Sequence, residues 1–369
     1  MRIINIVDRL DRVNFGIWNA AIATVSELKK RHQADSEVWF PAASDEARRE
    51  ELNGARPRAL QSLAAGEPDK LVREAGLNPE NDIIVTHGCW QYPTRWGLAF
   101  KEKGFRWVAV PHGMLESWSL SQKRIRKWVY YHLMEKRLLL QADRIRAVGE
   151  PEFDTLKRSF GNQVLWIPNG VPSMAGGLNL EAKPGGRKFL FMARLHHKKG
   201  ILPLVRAWLR SSLAGRKDFE LYIAGPDDGE LPALKELLAR HPEAGNVRYL
   251  GGVYGDDKAA LLEKCHFYTL PSFSEGFPTS VLEAMQRGLV PIITTGCNFP
   301  DVFKLSLGIE VTPEESTVLR GLEEAAALSD PAWADLAGRC HKLIESRYTH
   351  ARLADEQYDL YHQLLSGNR

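Results

Sequence analysis

Residues 272–288 read "SFSEGFPTSVLEAMQRG", and this stretch decides how the whole chain is read. It follows the apolar run "CHFYTLPS" (265–272), which has the character of a buried strand. Pro278 stands at the threshold of a helix that opens near Thr279 or Ser280, and Gly288 closes it. Strand, short glycine-containing loop and helix in that order form the repeating unit of a parallel α/β sheet. A helix start of this kind offers free amides to an anion. Yet Glu275 lies just before it and Glu283 one turn inside. Two carboxylates beside an anion site need a reason, because like charges repel.

The same alternation runs through the chain. Strand candidates in the first half are "RIINIVD", "SEVWFPA", "DIIVTHG", "RWVAVPHG", "RIRAVG" and "QVLWIPNG". The second half offers "KFLFMARL", "FELYIAGP", "VRYLGG", "CHFYTLPS", "VPIITTG" and "GIEVTP". Most are continuous apolar runs, which predicts strands covered on both faces. Helical patterns between them include 17–32, 119–141, 200–211, 256–264 and 279–287. The Gly- and Pro-rich segment 172–187, "PSMAGGLNLEAKPGGR", predicts a linker. The expected organisation is a first domain over 1–171, a second over 172–348 and a final helix in 349–369 that crosses back to brace the first. Two Rossmann-like α/β domains would then face a central cleft, with ligands beyond the carboxyl ends of the strands.

Composition narrows the possibilities. The chain has 369 residues, 44% hydrophobic and 26% charged, enough for two cores. Its net charge of +3 is too small to suggest a nucleic-acid partner. The charge is uneven: 26 Lys/Arg stand against 21 Asp/Glu up to Val171, and 23 against 25 beyond it. Residues 120–140 hold Lys123, Arg124, Arg126, Lys127, Lys136 and Arg137 against Glu135, which matches the whole excess of the first half. No apolar run has the length of a membrane span, and "MRIINIVDRL" reads as a buried strand rather than a leader. A cytoplasmic setting is the expectation. Cys89, Cys265, Cys297 and Cys340 are isolated, which argues against disulfides and zinc.

The chain lacks a Walker loop, a G-x-G-x-x-G, a nucleophile elbow and an H-E-x-x-H helix. Asp227 and Asp228 in "AGPDDGE" have the chemistry of a turn, and adjacent His196 and His197 do not converge on one ion. No metal is expected. "FMARLHHKKG" (191–200) brings Arg194 and Lys199 to a strand end, where a cation pair can meet phosphate or can simply be solvated surface. An ionised carboxylate accepts hydroxyl donors, and vicinal diols of sugars supply them. A nucleotide sugar carries one sugar on each side of its diphosphate. Glu275 and Glu283 could each hold one of these sugars while the helix start, Arg194 and Lys199 take the charge. The plainer alternative is a pair of surface acids, one favourable to the helix dipole.

The ordered set "IPNGV", "ARLHHKKG", "LYIAGP", "GVYGDDKAALLEKCHFYTLPS" and "SEGFPTSVLEAMQRGLVPIITT" resembles the retaining GT-B glycosyltransferases of family 4. Glu275 and Glu283 match that family's E-x7-E signature. "THGCWQ" and "PHGMLESWSLSQKR" resemble members of bacterial surface-polysaccharide assembly. The resemblance implies a UDP-, GDP- or ADP-sugar donor bound mainly by the second domain, without cofactor or metal. Carried over by motif, Arg194 and Lys199 contact the diphosphate, Glu283 the ribose and Glu275 the donor hexose. Gly276, Phe277 and Thr279 lie near sugar or phosphate, and His112 of "PHG" reaches the reacting carbon. Many members have a Gly-Gly pair after the first strand. Here "DRVNFGIWNAA" has only Gly16, so Gly16 and Asn14 are the candidates for backbone approach to the phosphate.

The expected reaction is same-face attack by an acceptor hydroxyl as the diphosphate leaves. The cations and helix amides would stabilise the leaving charge. Retaining hydrolases use two carboxylates about 5 Å apart, and no first-domain acid here is an obvious nucleophile. On a 100° helical wheel Ile125, Val129, His132 and Leu133 share one face of the basic helix, with Lys123, Arg126, Lys127, Tyr130, Met134 and Arg137 roughly opposite. That face is either a solvated helix back or a patch for anionic lipid, worth about 1 kcal/mol per cation. The second option fits a lipid-linked saccharide acceptor and peripheral contact with the inner face of the membrane. Competing functions are a nucleotide-sugar epimerase or hydrolase of the same architecture, and a silent sugar-nucleotide-binding scaffold.

Overall fold

The computed structural model describes residues 1–10, 15–43, 52–115, 130–181, 183 and 185–367. The chain forms two compact units, Met1–Pro172 with Thr349–Arg369, and Ser173–Tyr348.

The first unit is built on seven strands: β1 (Arg2–Val7), β2 (Asp35–Pro41), β3 (Arg56–Leu60), β4 (Asp82–His87), β5 (Arg106–Val110), β6 (Arg144–Ala147) and β7 (Val164–Trp166). They lie in the order β3-β2-β1-β4-β5-β6-β7, and every pairing is parallel. Chain order reverses between β1 and β4, which register Val7 against His87. Such a reversal opens a crevice at the carboxyl ends of the strands. All six residues of β4 are buried, as its continuous apolar run requires. Edge strand β3, "RPRAL", was not among the expected strands. It is polar and half exposed, and Pro57 is tolerated because an edge leaves its missing donor unneeded.

The second unit has six strands: β8 (Arg187–Met192), β9 (Phe219–Ala224), β10 (Val247–Gly251), β11 (Phe267–Leu270), β12 (Val290–Ile293) and β13 (Ile309–Glu310). Their order is β10-β9-β8-β11-β12-β13, again all parallel, with the reversal between β8 and β11. The twelve apolar runs picked out in the sequence are all strands here.

Large aromatics fill the cores. Trp39, Trp96, Phe100, Phe105 and Trp107 pack together in the first unit. Phe189 meets Trp208 edge-on and stacks on Phe267 in the second. Each such side chain contributes about 1.5–3 kcal/mol by burial.

Two helical readings are corrected. The single helix expected over 17–32 is two, Phe15–Ile22 and Val25–His32. The break falls where the buried Thr24 hydroxyl bonds to Gln357 of the final helix, His350–Leu365. That helix packs on Val25–His32, with Asp355 bonded to Arg31 and His32, and Tyr358 stacked on His32. The regular 100° wheel drawn for the basic helix does not extend past Tyr130. Residues Tyr131–Glu135 form a π-helical turn, which adds a residue per turn and rotates the following face. Tyr131 and Glu135 face inward, whereas His132 and Leu133 are exposed. Glu135 is fully buried and accepts from the Trp90 amide (3.1 Å) and the Thr94 hydroxyl (2.8 Å). Lys123, Arg124, Ile125, Arg126, Lys127 and Val129 lie outside the described residues, as does Asn14.

The expected linker has no strand or helix before Arg187 among its described residues, but it is not slack. The Met174 amide donates to Glu345, and Lys183 donates to the carbonyls of Leu262 and Cys265.

Candidate functional site

In the second unit, the loops leaving β8 and β11 meet at the sheet's reversal point. Phe273 N and Ser272 Oγ both donate to the Lys198 carbonyl, at 2.8 and 2.9 Å. Gly200 makes this close approach possible. Its φ is +72°, and a Cβ there would lie 2.1 Å from the Pro271 carbonyl oxygen.

Lys199 and Glu275 are thereby brought face to face. Lys199 Nζ lies 2.7 Å from Oε1 and 2.5 Å from Oε2 of Glu275. The Glu275 backbone is held on both sides: its amide donates to Gly296 (2.7 Å) and its carbonyl accepts from Asn298 Nδ2 (2.6 Å). The same Asn298 amide reaches Gly276 O at 3.5 Å. Phe277 packs edge-on to Phe299 and near Tyr348.

The helix Thr279–Gln286 starts directly after this loop and has no side-chain cap. Its first amides are only partly open: Thr279 N donates to Phe277 O (3.1 Å) and Val281 N to Pro278 O (2.9 Å). Glu283 lies in the following turn, and its carboxylate pairs with Lys258 at 2.7 Å. Arg194, largely exposed, pairs with Asp228 at 2.7 Å. Asp227 accepts from the amides of Gly229 and Leu231, the turn role its sequence context suggests. Every one of the four charged residues singled out in this unit thus sits in an ion pair. Lys258 and Asp228 were missed as partners. Lys258 lies within the quoted motif "GVYGDDKAALLEKC", but which of its charges would face Glu283 depends on how two helices pack.

His112 and Gly16 belong to the first unit. Gly16 is exposed, and a Cβ added there would touch nothing within 4 Å, so packing does not demand a glycine. His112 follows β5 and adopts φ +56°, a left-handed conformation that costs a non-glycine residue about 1–3 kcal/mol. The next residue pins it: Gly113 N donates to Glu152 Oε1 at 2.6 Å, while Glu152 Oε2 accepts from Val148 N at 2.9 Å. Burial pushes the Glu152 carboxyl up to about 7. His112 Nε2 lies 3.0 Å from Nδ1 of His87, the last residue of β4, and His87 Nε2 lies 3.0 Å from Asn5 Oδ1 on β1. A small pocket of about 20 Å³ adjoins His87 and is lined also by Asp8, Arg9, Cys89, Gln91 and Met114. His87 and Asn5 were not picked out in the sequence, since a lone histidine at the end of an apolar run carries no local signal.

Among the described residues, no cluster of His, Cys, Asp or Glu could hold a metal, and no helix is long and apolar enough to cross a membrane. All four cysteines are buried and free. Burial pushes the thiols of Cys265, Cys297 and Cys340 up to about 12, which keeps them protonated.

Two doubly wound parallel sheets with charged loops at their reversal points define a protein of the GT-B class. Family comparisons agree: residues 16–173 match the model "Glycosyltransferase Family 4", and residues 179–356 match "Glycosyl transferases group 1". The chain belongs to the family-4 GT-B glycosyltransferases. It is 22% identical over 299 residues to the GDP-mannose:cellobiosyl-diphosphopolyprenol alpha-mannosyltransferase of Xanthomonas campestris, covering 78% of this chain and 76% of that one. It is 26% identical over 148 residues to the O-antigen chain mannosyltransferase B of Escherichia coli, covering 40% of this chain but only 38% of the relative's length. Among solved structures, Anabaena HepE in complex with UDP and glucose superposes with a TM-score of 0.74 at 16% identity, covering 98% of this chain and 99% of that one. The apo form of the lipopolysaccharide outer core galactosyltransferase WaaB gives a TM-score of 0.71 at 14% identity, covering 98% of this chain and 100% of that one.

Proposed function

We propose that the protein is a retaining hexosyltransferase. It moves a sugar from a nucleoside-diphosphate donor to a saccharide or lipid-linked saccharide in bacterial surface-polysaccharide synthesis. The observation that carries this reading is the contact between Lys199 and Glu275 at the reversal point of the second sheet. A diphosphate approaching Lys199 draws the ammonium away from Glu275 and frees a carboxylate to accept from hydroxyls of the adjoining hexose. Glu283 accepts from the ribose hydroxyls, with Lys258 fixing its orientation. Arg194 and the remaining amides near Gly276, Phe277 and Thr279 take the leaving charge, so the reaction needs no metal. His112 contacts the donor sugar near the reacting carbon, and Gly16 stays a minor candidate for phosphate approach. The acceptor hydroxyl attacks from the face that the diphosphate leaves.

A lipid-linked acceptor is supported by the Xanthomonas relative, whose name specifies a cellobiosyl-diphosphopolyprenol. The exposed Leu133, Met134 and Leu140 beside the cations Lys136 and Arg137 support peripheral contact with an anionic membrane. Sedimentation with anionic vesicles tests this contact, and binding that survives neutralisation of the 120–140 cations speaks against it.

Incubation with labelled UDP-, GDP- and ADP-sugars, with and without lipid-linked acceptors, tests the activity. Transfer only when acceptor is present supports the proposal. Turnover of donor alone would make the protein a hydrolase or epimerase, and binding without turnover a scaffold.

A further inference from the structure

Asn5, His87 and His112 form a chain of hydrogen bonds running from β1 through β4 to the loop after β5. The identity of each donor along it can be worked out from one end. Asn5 Nδ2 reaches the Glu37 backbone carbonyl at 3.4 Å. Reversing the amide would set its oxygen against that carbonyl oxygen, so Oδ1 is the atom that faces His87. An amide oxygen only accepts, so His87 Nε2 carries a proton and donates. A neutral His87 then has a bare Nδ1, which accepts from a protonated His112 Nε2. That leaves His112 Nδ1 unprotonated, and among the described residues it has no hydrogen-bond partner.

We propose that Asn5 and His87 are positioning residues that lock His112 in the Nε2–H tautomer, so that it meets a substrate hydroxyl as an acceptor through Nδ1. This rests on the reading of His112 as a substrate contact.

Two further observations support the lock. The left-handed backbone at His112 is held by Glu152 through Gly113, which fixes where the ring leaves the main chain. Protonating His87 would aim its Nδ1–H at the N–H of His112, and the surroundings oppose this. Burial holds His87 well below the usual histidine range and brings His112 down to about 3, with buried Arg146 acting in the same direction on both. Among the described residues, the charged groups around the pair are that guanidinium, which donates to the carbonyls of Ile167 and Pro168, the Glu152 carboxyl, which accepts from Gly113 and Val148, and Asp8 and Arg9, which line the pocket beside His87. The nearby Cys89 thiol stays protonated through burial.

The test needs a variant that reverses the relay rather than merely loosening it, because a loosened imidazole still spends much of its time in the right tautomer. Asn5→Asp does this. The ionised carboxylate it introduces stabilises His87 as a cation at the low end of the pH range, and the Nδ1–H of that cation donates to His112, whose proton moves to Nδ1. Loss of that proton at higher pH restores the original order. In wild type, nitrogen-15 NMR of labelled histidines should show both rings protonated at Nε2 between about pH 6 and pH 9. In N5D, His112 should carry its proton on Nδ1 at the low end. Transfer should fall at least roughly tenfold there and recover as the pH rises. Simple damage to packing has no reason to reverse with pH. A wild-type His112 protonated at Nδ1 overturns the proposal, and so does an N5D variant with a reversed tautomer and unchanged transfer at every pH. If H112A transfers normally while the wild-type spectra are as expected, the substrate role of His112 fails while the tautomer assignment stands.

Discussion

Lys199 Nζ lies within 2.7 Å of both carboxylate oxygens of Glu275, across two loops that leave neighbouring strands of the second sheet. The side chains are only 18% and 11% exposed. Removing one partner of such a pair leaves the other partly desolvated and uncompensated. A diphosphate can take over the lysine, and sugar hydroxyls can take over the acid. On the proposed reading, the pair holds the polarity of the donor site in compact form.

Glu275→Gln and Lys199→Met should separate these roles. Glu275→Gln keeps the shape but weakens the acceptor, and it frees Lys199 for phosphate. Transfer should fall by about a hundredfold or more, while affinity for the nucleoside diphosphate alone holds or rises. Lys199→Met should instead weaken nucleoside-diphosphate binding by roughly ten- to a hundredfold, the loss of one charge-assisted bond. Titration calorimetry alongside a transfer assay reads both. Equal losses of diphosphate affinity in the two variants would contradict the division of labour.

Lys258→Met probes the second acid. The Lys258 and Glu283 side chains are 31% and 29% exposed, so the pair should change stability by less than about 1 kcal/mol. Its effect should appear as severalfold weaker binding of ribonucleotides, because Glu283 loses its fixed orientation. A thermal melt and a nucleotide titration together decide it. Unchanged nucleotide affinity would make the pair a surface contact only.

Gly200→Ala should destabilise the second unit by on the order of 3 kcal/mol, through its left-handed backbone and the collision with the Pro271 carbonyl. The lesion lies next to Lys199, so donor affinity should fall with it. Chemical denaturation followed by fluorescence measures the change, and a variant as stable as wild type would show that the loops have room to part.

Glu152 gives a pH signature to stability. Its folded value of about 7 lies above the ordinary 4.5, so folding favours the protonated acid. That contribution is complete below the ordinary value and is lost as the pH rises through about 7, a total of roughly 3 kcal/mol. Stability of wild type should therefore decline between about pH 5 and pH 8 relative to Glu152→Gln. A constant difference between the two across that range would contradict the raised value.

Much of this was legible in the sequence because it is local. Buried parallel strands declare themselves as apolar runs, and the E-x7-E spacing places Glu275 and Glu283 around one helix start. What was not legible depends on tertiary packing. Edge strand β3 is too polar to announce itself. The break at Thr24 involves neither Gly nor Pro and is tied to Gln357, more than three hundred residues away. The π turn at Tyr131–Glu135 ends on a buried carboxylate bonded to Trp90 and Thr94, a tertiary contact that no helical wheel anticipates. Lys258, Asp228, Asn5 and His87 are partners whose geometry exists only once the strands are paired.

The most direct test of the donor site is a crystal structure with a nucleoside-diphosphate sugar bound. Lys199 should leave Glu275 and lie within hydrogen-bond distance of the diphosphate, with Glu275 on the hexose hydroxyls and Glu283 on the ribose. A donor whose two sugars sit away from both acids, or whose diphosphate leaves the Lys199–Glu275 pair intact, would contradict the proposed chemistry.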